Sequence, residues 1–548
     1  MIYNVIVIIA SIVLAIIVEK INYKKEFNIK NKLIILECII LIIGFLIRTV
    51  SIQYVPNALN VDEASAGYEA YSILNYGIDR HGNHNPAFLI AWGGGQNVLL
   101  TYLIIPFVKV LGLNILSVRL PMAIIGCISL IAMYSLLKNI TNKKISIIGL
   151  IFFSICPWHI MKSRWGLESN LFPDLILIFV FLLVKGLQDK KKVLYYLSFV
   201  IAGISAYSYG TSYFFLPFFI VPVLIMLVVK KEITIRRAIF SLILVGVVAL
   251  PIILCVIINQ FDLNQINLPF LTIPKLSIQR YEKISSIFSG SFFTDSIYNF
   301  IQSVKIIINQ SDNLPWNASE TSGLIYKFSL IFTIIGIVVS FSKKVQIKYE
   351  YIFNIWFIIA FLLLFICEPN INRINILWIS LIFYTIIGIF YVIKDNTLIE
   401  KIVLITYIIS FFIFFIEYLT EDSASYYTFE GNIKEVVEYV EKNEDTVESV
   451  YVTNLIKEPY IYFLFYEEYN TQDFVNSVKY ENEEEEFQIV NSFGKYKFKN
   501  IQNIENNNSM YIIKKDRIKD YDIDYVDGNI KFFEDYVVIK TNRKDGEI

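Results

Sequence analysis

The stretch NVDEASAGYEAYSILNYGIDRHGNHNP runs from Asn60 to Pro86, and AFLIAWGGGQNVLLTYLIIPFVKVLGLNILSVR continues it to Arg119. It lies between strongly apolar segments, yet it contains the adjacent acids Asp62 and Glu63 and two of the three histidines of the chain. Connections between helices are usually short. A polar connection of this length between apolar segments therefore predicts a functional site.

The apolar residues of the chain are gathered into long runs. The chain has 548 residues, of which 55% are hydrophobic, and a mean hydropathy of +0.55. Several runs reach the roughly 20 residues that a helix needs to cross the hydrocarbon core of a bilayer. The sequence therefore predicts a mainly α-helical, polytopic membrane protein. All five cysteines lie in apolar runs, which is typical of buried thiols and not of a disulfide framework.

Clusters of lysine and arginine predict the orientation of the helices, because positive residues are enriched in cytoplasmic loops. With the clusters inside, the loops 53–116 and 259–323 lie outside. The apolar segment 97–112 then becomes a helix in the outer interface that does not cross. About twelve spans result, with both chain ends outside, at 2–18, 33–52, 117–137, 145–161, 168–187, 194–209, 213–229, 238–258, 324–341, 350–367, 374–393 and 402–419.

Residues 420–548 have a different composition from the rest, with more charge and no long apolar run. Segment 432–442 has helical periodicity, and segments 448–453, 510–514 and 535–541 have the pattern of strands. The acidic run from Glu481 to Glu486 is typical of a solvated loop. We predict two parts: a membrane part at 1–419 and a small extracytoplasmic α/β domain at 420–548.

The outer ends of the predicted spans carry an unusual set of polar groups. Ionisable groups at the membrane edge are costly and are often functional. Arginines can hold a phosphate at the bilayer surface through their forked donors, and an acid beside them can take a proton from a hydroxyl group. The candidates are Asp62 and Glu63 as catalytic acids, and His81, His84, Arg119, His159, Arg164, Glu168 and Arg373 as substrate-binding residues.

Structural roles remain open for several of these residues. Arg119 and Arg164 stand at span ends, where either side chain could snorkel, and Asp62 could cap a helix. His81 and His84 lie among loop residues, so we predict no metal site, although a divalent cation stays open. The glycines at 93–95 are interpreted as a flexible turn. The sequence contains no nucleotide-binding motif, and no cofactor or nucleic-acid partner is predicted.

Three segments resemble the GT-C membrane glycosyltransferases: VDEASAGYEAYSILNYGIDRHGN, LTYLIIPFVKVLGLNILSVRLP and SICPWHIMKSRWGLESNLFP. Within that superfamily they are similar to the dolichyl-phosphate-mannose protein mannosyltransferases and bacterial relatives such as the lipid A aminoarabinose transferases. The resemblance covers 33–260 well and the later spans by architecture. It departs in lacking an inserted β-trefoil domain and in having an additional N-terminal span, so the acceptor stays open.

The resemblance implies transfer of a sugar from a polyprenyl-phosphate donor to a hydroxyl acceptor of the cell envelope. It gives Asp62 the role of base or acceptor-binding group and places arginines on the lipid phosphate, a role that fits Arg164 and Arg373. The expected location is a bacterial plasma membrane, with catalysis on the outer face. Two alternatives belong to other classes. One is a transporter or flippase for lipid-linked glycans, and the other is a non-catalytic, membrane-anchored binding protein.

Overall fold

The computed structural model describes residues 29–278, 285–420, 429–523 and 527–543. The span predicted at 2–18 lies outside the described residues. The helical part runs from residue 29 to residue 419. Its helices are α1 Ile29–Thr49, α2 Val61–Tyr76, α3 Leu99–Leu111, α4 Ile115–Ile140, α5 Lys143–Ile155, α6 Pro157–Ser163, α7 Glu168–Gln188, α8 Lys192–Ser205, α9 Ser212–Val229, α10 Ile235–Val248, α11 Leu250–Gln260, α12 Phe292–Asn309, α13 Ser329–Phe341, α14 Glu350–Ile366, α15 Asn375–Ile393 and α16 Thr397–Leu419.

Each predicted span between 33 and 419 coincides with a helix or with a bent pair of helices. The pair α5 and α6 bends by 55° and the pair α10 and α11 by 66°. A proline stands at the start of the second helix in both pairs, Pro157 in α6 and Pro251 in α11. Proline lacks a backbone N–H and its ring displaces the preceding turn, which accounts for the two bends.

Among the described residues, five helices are long and apolar enough to cross a membrane, or up to seven if each bent pair is one span. The other apolar helices are shorter than 18 residues, and α1 carries Glu37 and Arg48 within its length. The mainly helical, multi-span architecture is therefore confirmed. The larger number of about twelve crossings stays a prediction.

The helical core is centred on α7 and α15, most of whose side chains are buried. Helices α13 and α15 cross in direct backbone contact at Gly336 and Gly388. A Cβ atom on Gly336 would meet the carbonyl oxygen of Tyr384, and one on Gly388 would meet that of Phe332. The interior is close-packed around these helices, so it rigidly supports the polar segments that connect them.

The segment 97–112 forms a single helix, α3, of 13 residues. Its length of about 20 Å is short of the roughly 30 Å of a hydrocarbon core. This geometry agrees with a helix that does not cross. The second loop contains a small hairpin, β1 Ile266–Leu268 with β2 Leu271–Ile273, followed by the amphipathic helix α12.

The C-terminal region forms a seven-stranded mixed sheet. Its strands are β3 Ser449–Thr453, β4 Lys479–Tyr480, β5 Val490–Phe493, β6 Tyr496–Lys499, β7 Ser509–Lys514, β8 Gly528–Phe532 and β9 Tyr536–Thr541, in the order β4-β5-β6-β3-β7-β9-β8. Strand β3 pairs in parallel with β6 and β7, and the other pairs are antiparallel. Helices α17 Ile433–Glu441, α18 Tyr460–Tyr466 and α19 Thr471–Ser477 complete this region.

The C-terminal region packs directly on α2. The hydroxyl of Tyr68 donates to the carbonyl of Tyr469 at 2.9 Å, and the hydroxyl of Tyr462 donates to the carbonyl of Leu59 at 3.2 Å. One cluster of buried apolar side chains joins α2, α3 and α4 to α17, α18 and the sheet. The first polar loop is therefore enclosed between the helical core and the C-terminal region.

Candidate active site

Asp62 stands in the first turn of α2, where it is half-buried. The helix begins after Asn60, whose side chain accepts a hydrogen bond from the Asp62 backbone N–H at 2.9 Å. Glu63 completes the capping box by accepting from the Asn60 N–H at 3.2 Å. The cap is thus Asn60, and the Asp62 side chain does not serve as one. Its Oδ1 instead accepts a hydrogen bond from Nε1 of Trp92 at 3.0 Å.

Glu63 and Arg119 form a fully buried ion pair below Asp62. Nε and Nη2 of Arg119 donate to the two carboxylate oxygens of Glu63 at 2.7 Å each. The remaining guanidinium donors bind carbonyls of the segment 52–58, and the Gly166 N–H donates to Glu63 at 2.8 Å. Sequence analysis predicted a catalytic Glu63 and a substrate-binding Arg119. In the structure both side chains are buried. Their hydrogen bonds to each other, to the segment 52–58 and to Gly166 form a buried frame beneath Asp62.

Glu168 is the first residue of α7 and is half-buried, like Asp62. Its Oε2 accepts the backbone N–H of Asn97 at 2.7 Å, and the Asn97 side chain accepts from the Tyr213 hydroxyl at 2.7 Å. Trp92 and Asn97 belong to the same segment, 92–97. One short segment therefore holds both carboxylates, each at a helix N-terminus where the helix dipole favours an anion.

The Arg164 side chain is buried against the C-terminal end of α1, and its donors bind backbone carbonyls of the protein itself. Its guanidinium donates to the carbonyls of Ile47, Val50, Ser51 and Val55 at 2.6 to 3.2 Å. These are carbonyls of the last turn of α1 and of the segment that follows it, so Arg164 acts as a C-terminal cap. It was predicted to bind the substrate, but in this structure its donors are directed at the backbone.

His159 lies in a buried polar cluster of the helical core, although it was predicted to bind substrate. Its Nδ1 is 2.7 Å from Nη2 of Arg48, and its Nε2 is 3.3 Å from Asp174. Asp174 also forms an ion pair with Lys162 at 2.8 Å and accepts from Ser129 at 2.6 Å. These partners satisfy the imidazole inside the protein. The charges within apolar runs, at Arg48 and Asp174, were the sequence signal for this cluster.

His81, His84 and Arg373 complete the predicted set. His81 stacks on Tyr480, and its Nε2 is 3.1 Å from the Gln488 side chain. Burial and the neighbouring Arg80 lower the pKa of His81 to about 3, so its ring is neutral at neutral pH. His84 is exposed, and Arg373 pairs with Glu368 at 2.6 Å. Among the described residues, no hydrogen bond or ion pair joins these three side chains to Asp62.

Arg80 and Trp92 were not singled out in the sequence. The Arg80 guanidinium lies 4.7 Å from the Trp92 ring centre, donates to Ser65 at 2.8 Å and pairs with Glu69 at 3.3 Å. Burial raises the pKa of Glu69 above its ordinary value. The signal available was the pair Asp79-Arg80 within the first polar stretch. In the part of the chain that the structure describes, no three His, Cys, Asp or Glu side chains lie together as a metal site would require.

The glycines at 93–95 form a docking point and not a flexible turn. The Gly94 N–H donates to the carbonyl of Glu486 at 2.7 Å, and the Gln488 N–H donates to the carbonyl of Trp92 at 2.7 Å. Gly93 has φ +111°, and a Cβ atom there would lie 2.6 Å from the Glu485 carbonyl oxygen. The acidic run predicted as a solvated loop does expose the side chains at 483–485. Its backbone, however, packs on the site.

Comparisons with known proteins agree with this architecture. Residues 96–258 match the model of the dolichyl-phosphate-mannose-protein mannosyltransferase family. The structure of ArnT from Cupriavidus metallidurans bound to undecaprenyl phosphate superposes with a TM-score of 0.55 at 10% identity, covering 92% of this chain and 97% of that one. The apo state of ArnT gives a TM-score of 0.53 at 9% identity with the same coverage. No curated protein sequence matches the chain.

This chain has the same fold as ArnT. The resemblance stated from the sequence is thereby confirmed. The matched residues 96–258 begin at Gln96, inside the segment that holds Asp62 and Glu168, and they include Arg119 and Gly166 of the frame beneath them. In this fold the two half-buried carboxylates stand at the N-termini of α2 and α7.

Proposed function

We propose that this protein is a glycosyltransferase that moves a sugar from a polyprenyl-phosphate donor to a hydroxyl acceptor of the cell envelope. The observation that carries the proposal is the arrangement of Asp62 and Glu168. Both carboxylates are half-buried at helix N-termini, and both are held by the segment 92–97. The family match and the shared fold support a transferase over a transporter or a membrane-anchored binding protein.

Asp62 is the proposed general base. The acceptor oxygen forms a bond to the anomeric carbon while the bond from that carbon to the phosphate oxygen breaks. The phosphate keeps the electron pair of the broken bond, and the hydroxyl proton passes to Asp62. Attack opposite the leaving phosphate inverts the anomeric centre. Glu168 is proposed to bind hydroxyl groups of the reacting sugars, since a carboxylate is a strong hydrogen-bond acceptor.

The donor phosphate requires a cation on the same side of the membrane. Of the three arginines predicted to bind substrate, Arg373 has a partly exposed side chain, while Arg119 and Arg164 are enclosed. Its partner Glu368 is far more exposed and can move aside. We therefore propose Arg373 as the phosphate-binding residue among the three. A forked guanidinium suits two phosphate oxygens at once.

The proposed setting is a bacterial plasma membrane. The lysine pattern supports about twelve spans, with the loops 53–116 and 259–323 outside. The change of composition at residue 420 supports two domains, the membrane part at 1–419 and an extracytoplasmic α/β domain at 420–548. In this arrangement the C-terminal domain covers the outer face of the membrane part, where a donor arriving from the outer leaflet would meet its acceptor.

The test is consumption of a donor. Purified protein is incubated with a panel of polyprenyl-phosphate sugars in detergent, together with an extract of cell-envelope glycans and lipids as acceptors. We expect one donor to be consumed, with release of polyprenyl phosphate and formation of a new glycoside. The matched control is Asp62→Asn, which keeps the acceptor for the Trp92 hydrogen bond but cannot take a proton. Consumption of a donor at the same rate by that variant would contradict the mechanism.

A further inference from the structure

We propose that the C-terminal region is a positioning part of the active site and that Trp92 is the residue through which it acts. This inference rests on the proposed function and gives it a second component. The region acts on the site through contacts of its described residues with the segment 92–97. It clamps the segment 92–97, and that segment in turn sets the positions of Asp62 and Glu168.

The Trp92 indole is fixed on several sides. Its Nε1 donates to Asp62 at 3.0 Å, its ring lies under the Arg80 guanidinium at 4.7 Å, and Tyr460 of α18 packs on it edge to face at 6.1 Å. The side chain is buried. A ring held in this way has little rotational freedom. Its N–H therefore donates from a fixed position and restrains the Asp62 carboxylate. Because Tyr460 comes from the C-terminal region, that region contributes directly to the position of the indole.

The backbone of the same segment is clamped by the loop 485–488. Gly94 donates to the Glu486 carbonyl and Gln488 donates to the Trp92 carbonyl, at 2.7 Å each. The Gln488 side chain then lies 3.1 Å from His81 and donates to the Glu483 carbonyl at 2.8 Å. Gln488 thus links the two polar segments of the first loop to the C-terminal sheet.

The clamp tolerates no side chain at its centre. At Gly93 a Cβ atom would lie 2.6 Å from the Glu485 carbonyl oxygen, and that backbone position cannot yield as a flexible side chain could. Asn97, at the other end of the segment, donates to Glu168 at 2.7 Å. A displacement of the segment would therefore move both carboxylates together. Misplacement of catalytic groups by about 1 Å can cost 10²-fold in rate.

The first experiment compares two glycine variants. Gly93→Ala introduces a methyl group into the clamp, and Gly112→Ala is its matched control. Gly112 also has a positive φ, of +78°, but a Cβ atom there has no neighbour within 4 Å. We expect Gly93→Ala to lower kcat by roughly 10- to 100-fold with little change in the KM for the donor. Gly112→Ala should retain the wild-type kcat, since only backbone strain is added far from the clamp.

The second experiment removes the indole N–H. Trp92→Phe keeps an aromatic ring under Arg80 but loses the donor to Asp62. The control is Trp378→Phe in α15, because the buried Nε1 of Trp378 has no hydrogen-bond partner among the described residues. A loss of kcat of about 10-fold is expected for Trp92→Phe alone. Equal kcat in Trp92→Phe and Trp378→Phe, together with equal kcat in the two glycine variants, would overturn the inference.

Hydrogen exchange separates this inference from the proposed reaction, because it requires no activity. In the wild-type protein the amides of Gly94 and Gln488 should be protected, and Gly93→Ala should accelerate exchange at 89–97 while Gly112→Ala leaves it unchanged. Fast exchange at both amides in the wild-type protein would refute the clamp even if sugar transfer is observed. Protected amides in a protein that consumes no donor would instead count against the proposed function.

Discussion

Glu63 and Arg119 face each other in a bidentate ion pair with both side chains fully buried. A buried pair is a weak source of net stability, but an unpaired buried charge is strongly unfavourable. Removing one partner should therefore destabilise the fold by much more than the intact pair stabilises it. Asp62, one residue away, is half-buried and has no cationic partner among the described side chains. Two adjacent acids thus have opposite roles.

The first prediction follows from this difference. Glu63→Gln preserves the capping box, because glutamine also serves at that position, but it leaves Arg119 charged and unpaired. We expect a loss of about 3 to 5 kcal/mol in the free energy of unfolding. Asp62→Asn is the control and should stay close to wild type. Thermal unfolding in detergent measures both variants, and equal melting temperatures for Glu63→Gln and wild type would contradict the structural role.

The second prediction concerns Tyr496 in the C-terminal sheet. Its hydroxyl lies 2.5 Å from Glu467 and 2.6 Å from Glu444, and one hydroxyl proton cannot serve two carboxylates. Burial, together with the nearby Glu444, raises the pKa of Glu467 to about 8. The folded protein thus keeps a proton that the unfolded chain releases near its ordinary pKa of 4.5. Stability should therefore fall as the pH rises from about 4.5 to about 8.

Glu467→Gln tests that pH dependence. Glutamine mimics the protonated carboxyl group, so the variant should lose the downward slope and be more stable than wild type at pH 8 and above. The gain is at most a few kcal/mol, since a tenfold change in proton affinity corresponds to about 1.4 kcal/mol and the side chain is partly exposed. Glu468→Gln removes the same charge from an exposed neighbour and is the matched control. A wild-type slope in Glu467→Gln would rule out the shared proton.

The third prediction separates two of the arginines that the sequence groups as phosphate ligands. Arg164→Lys loses most of the hydrogen bonds that cap α1, so it should lower stability by about 1 to 3 kcal/mol. Its effect on donor affinity should be small. Arg373→Lys keeps a charge at a partly exposed position but loses the fork, and it should raise the apparent KM for the donor several-fold at unchanged stability. Donor titrations and melting curves of both variants measure these effects. A raised donor KM in Arg164→Lys with a stability loss in Arg373→Lys would refute the prediction.

The fourth prediction is that 97–112 does not cross the membrane. In a cysteine-free background, Leu113→Cys should react with a membrane-impermeant maleimide on intact cells, because both ends of α3 lie outside. Lys191→Cys, in a loop predicted inside, is the control that should react only after permeabilisation. If Leu113→Cys reacts only after permeabilisation while Lys191→Cys reacts on intact cells, α3 crosses and the orientation of the later helices is inverted.

The sequence predicted the elements well because their signals are local. Apolar runs located the helices between 33 and 419, and β-branched segments located strands such as 449–453. The capping box at Asn60 and Glu63 also has a local signature, because its two residues stand three positions apart, yet Asp62 was considered for the cap.

Contacts between residues that are distant in sequence could not be predicted from local patterns. Glu63 and Arg119 are 56 positions apart, and the clamp joins Trp92 to Gln488 across most of the chain. A charged residue at a span end has the same local pattern whether it faces substrate or caps a helix, as Arg164 does. Composition placed these groups near the outer edge of the helices. Which of these polar side chains remain partly exposed is determined by the packing of the whole fold.

The last prediction carries the mechanism and concerns Asp62 and Glu168. If Asp62 is the general base, Asp62→Asn should lower kcat by roughly 10²- to 10⁴-fold with near-wild-type stability, since the cap is Asn60 and asparagine still accepts from Trp92. If Glu168 binds sugar hydroxyls, Glu168→Gln should act mainly on the KM for donor or acceptor, by about 10-fold. Because one segment holds both groups, the double variant should lose less than the product of the two single losses. Rates for the four proteins form a double-mutant cycle. Near-normal kcat in Asp62→Asn would remove it as the base and leave Glu168, the other half-buried carboxylate at this edge, as the residue to test.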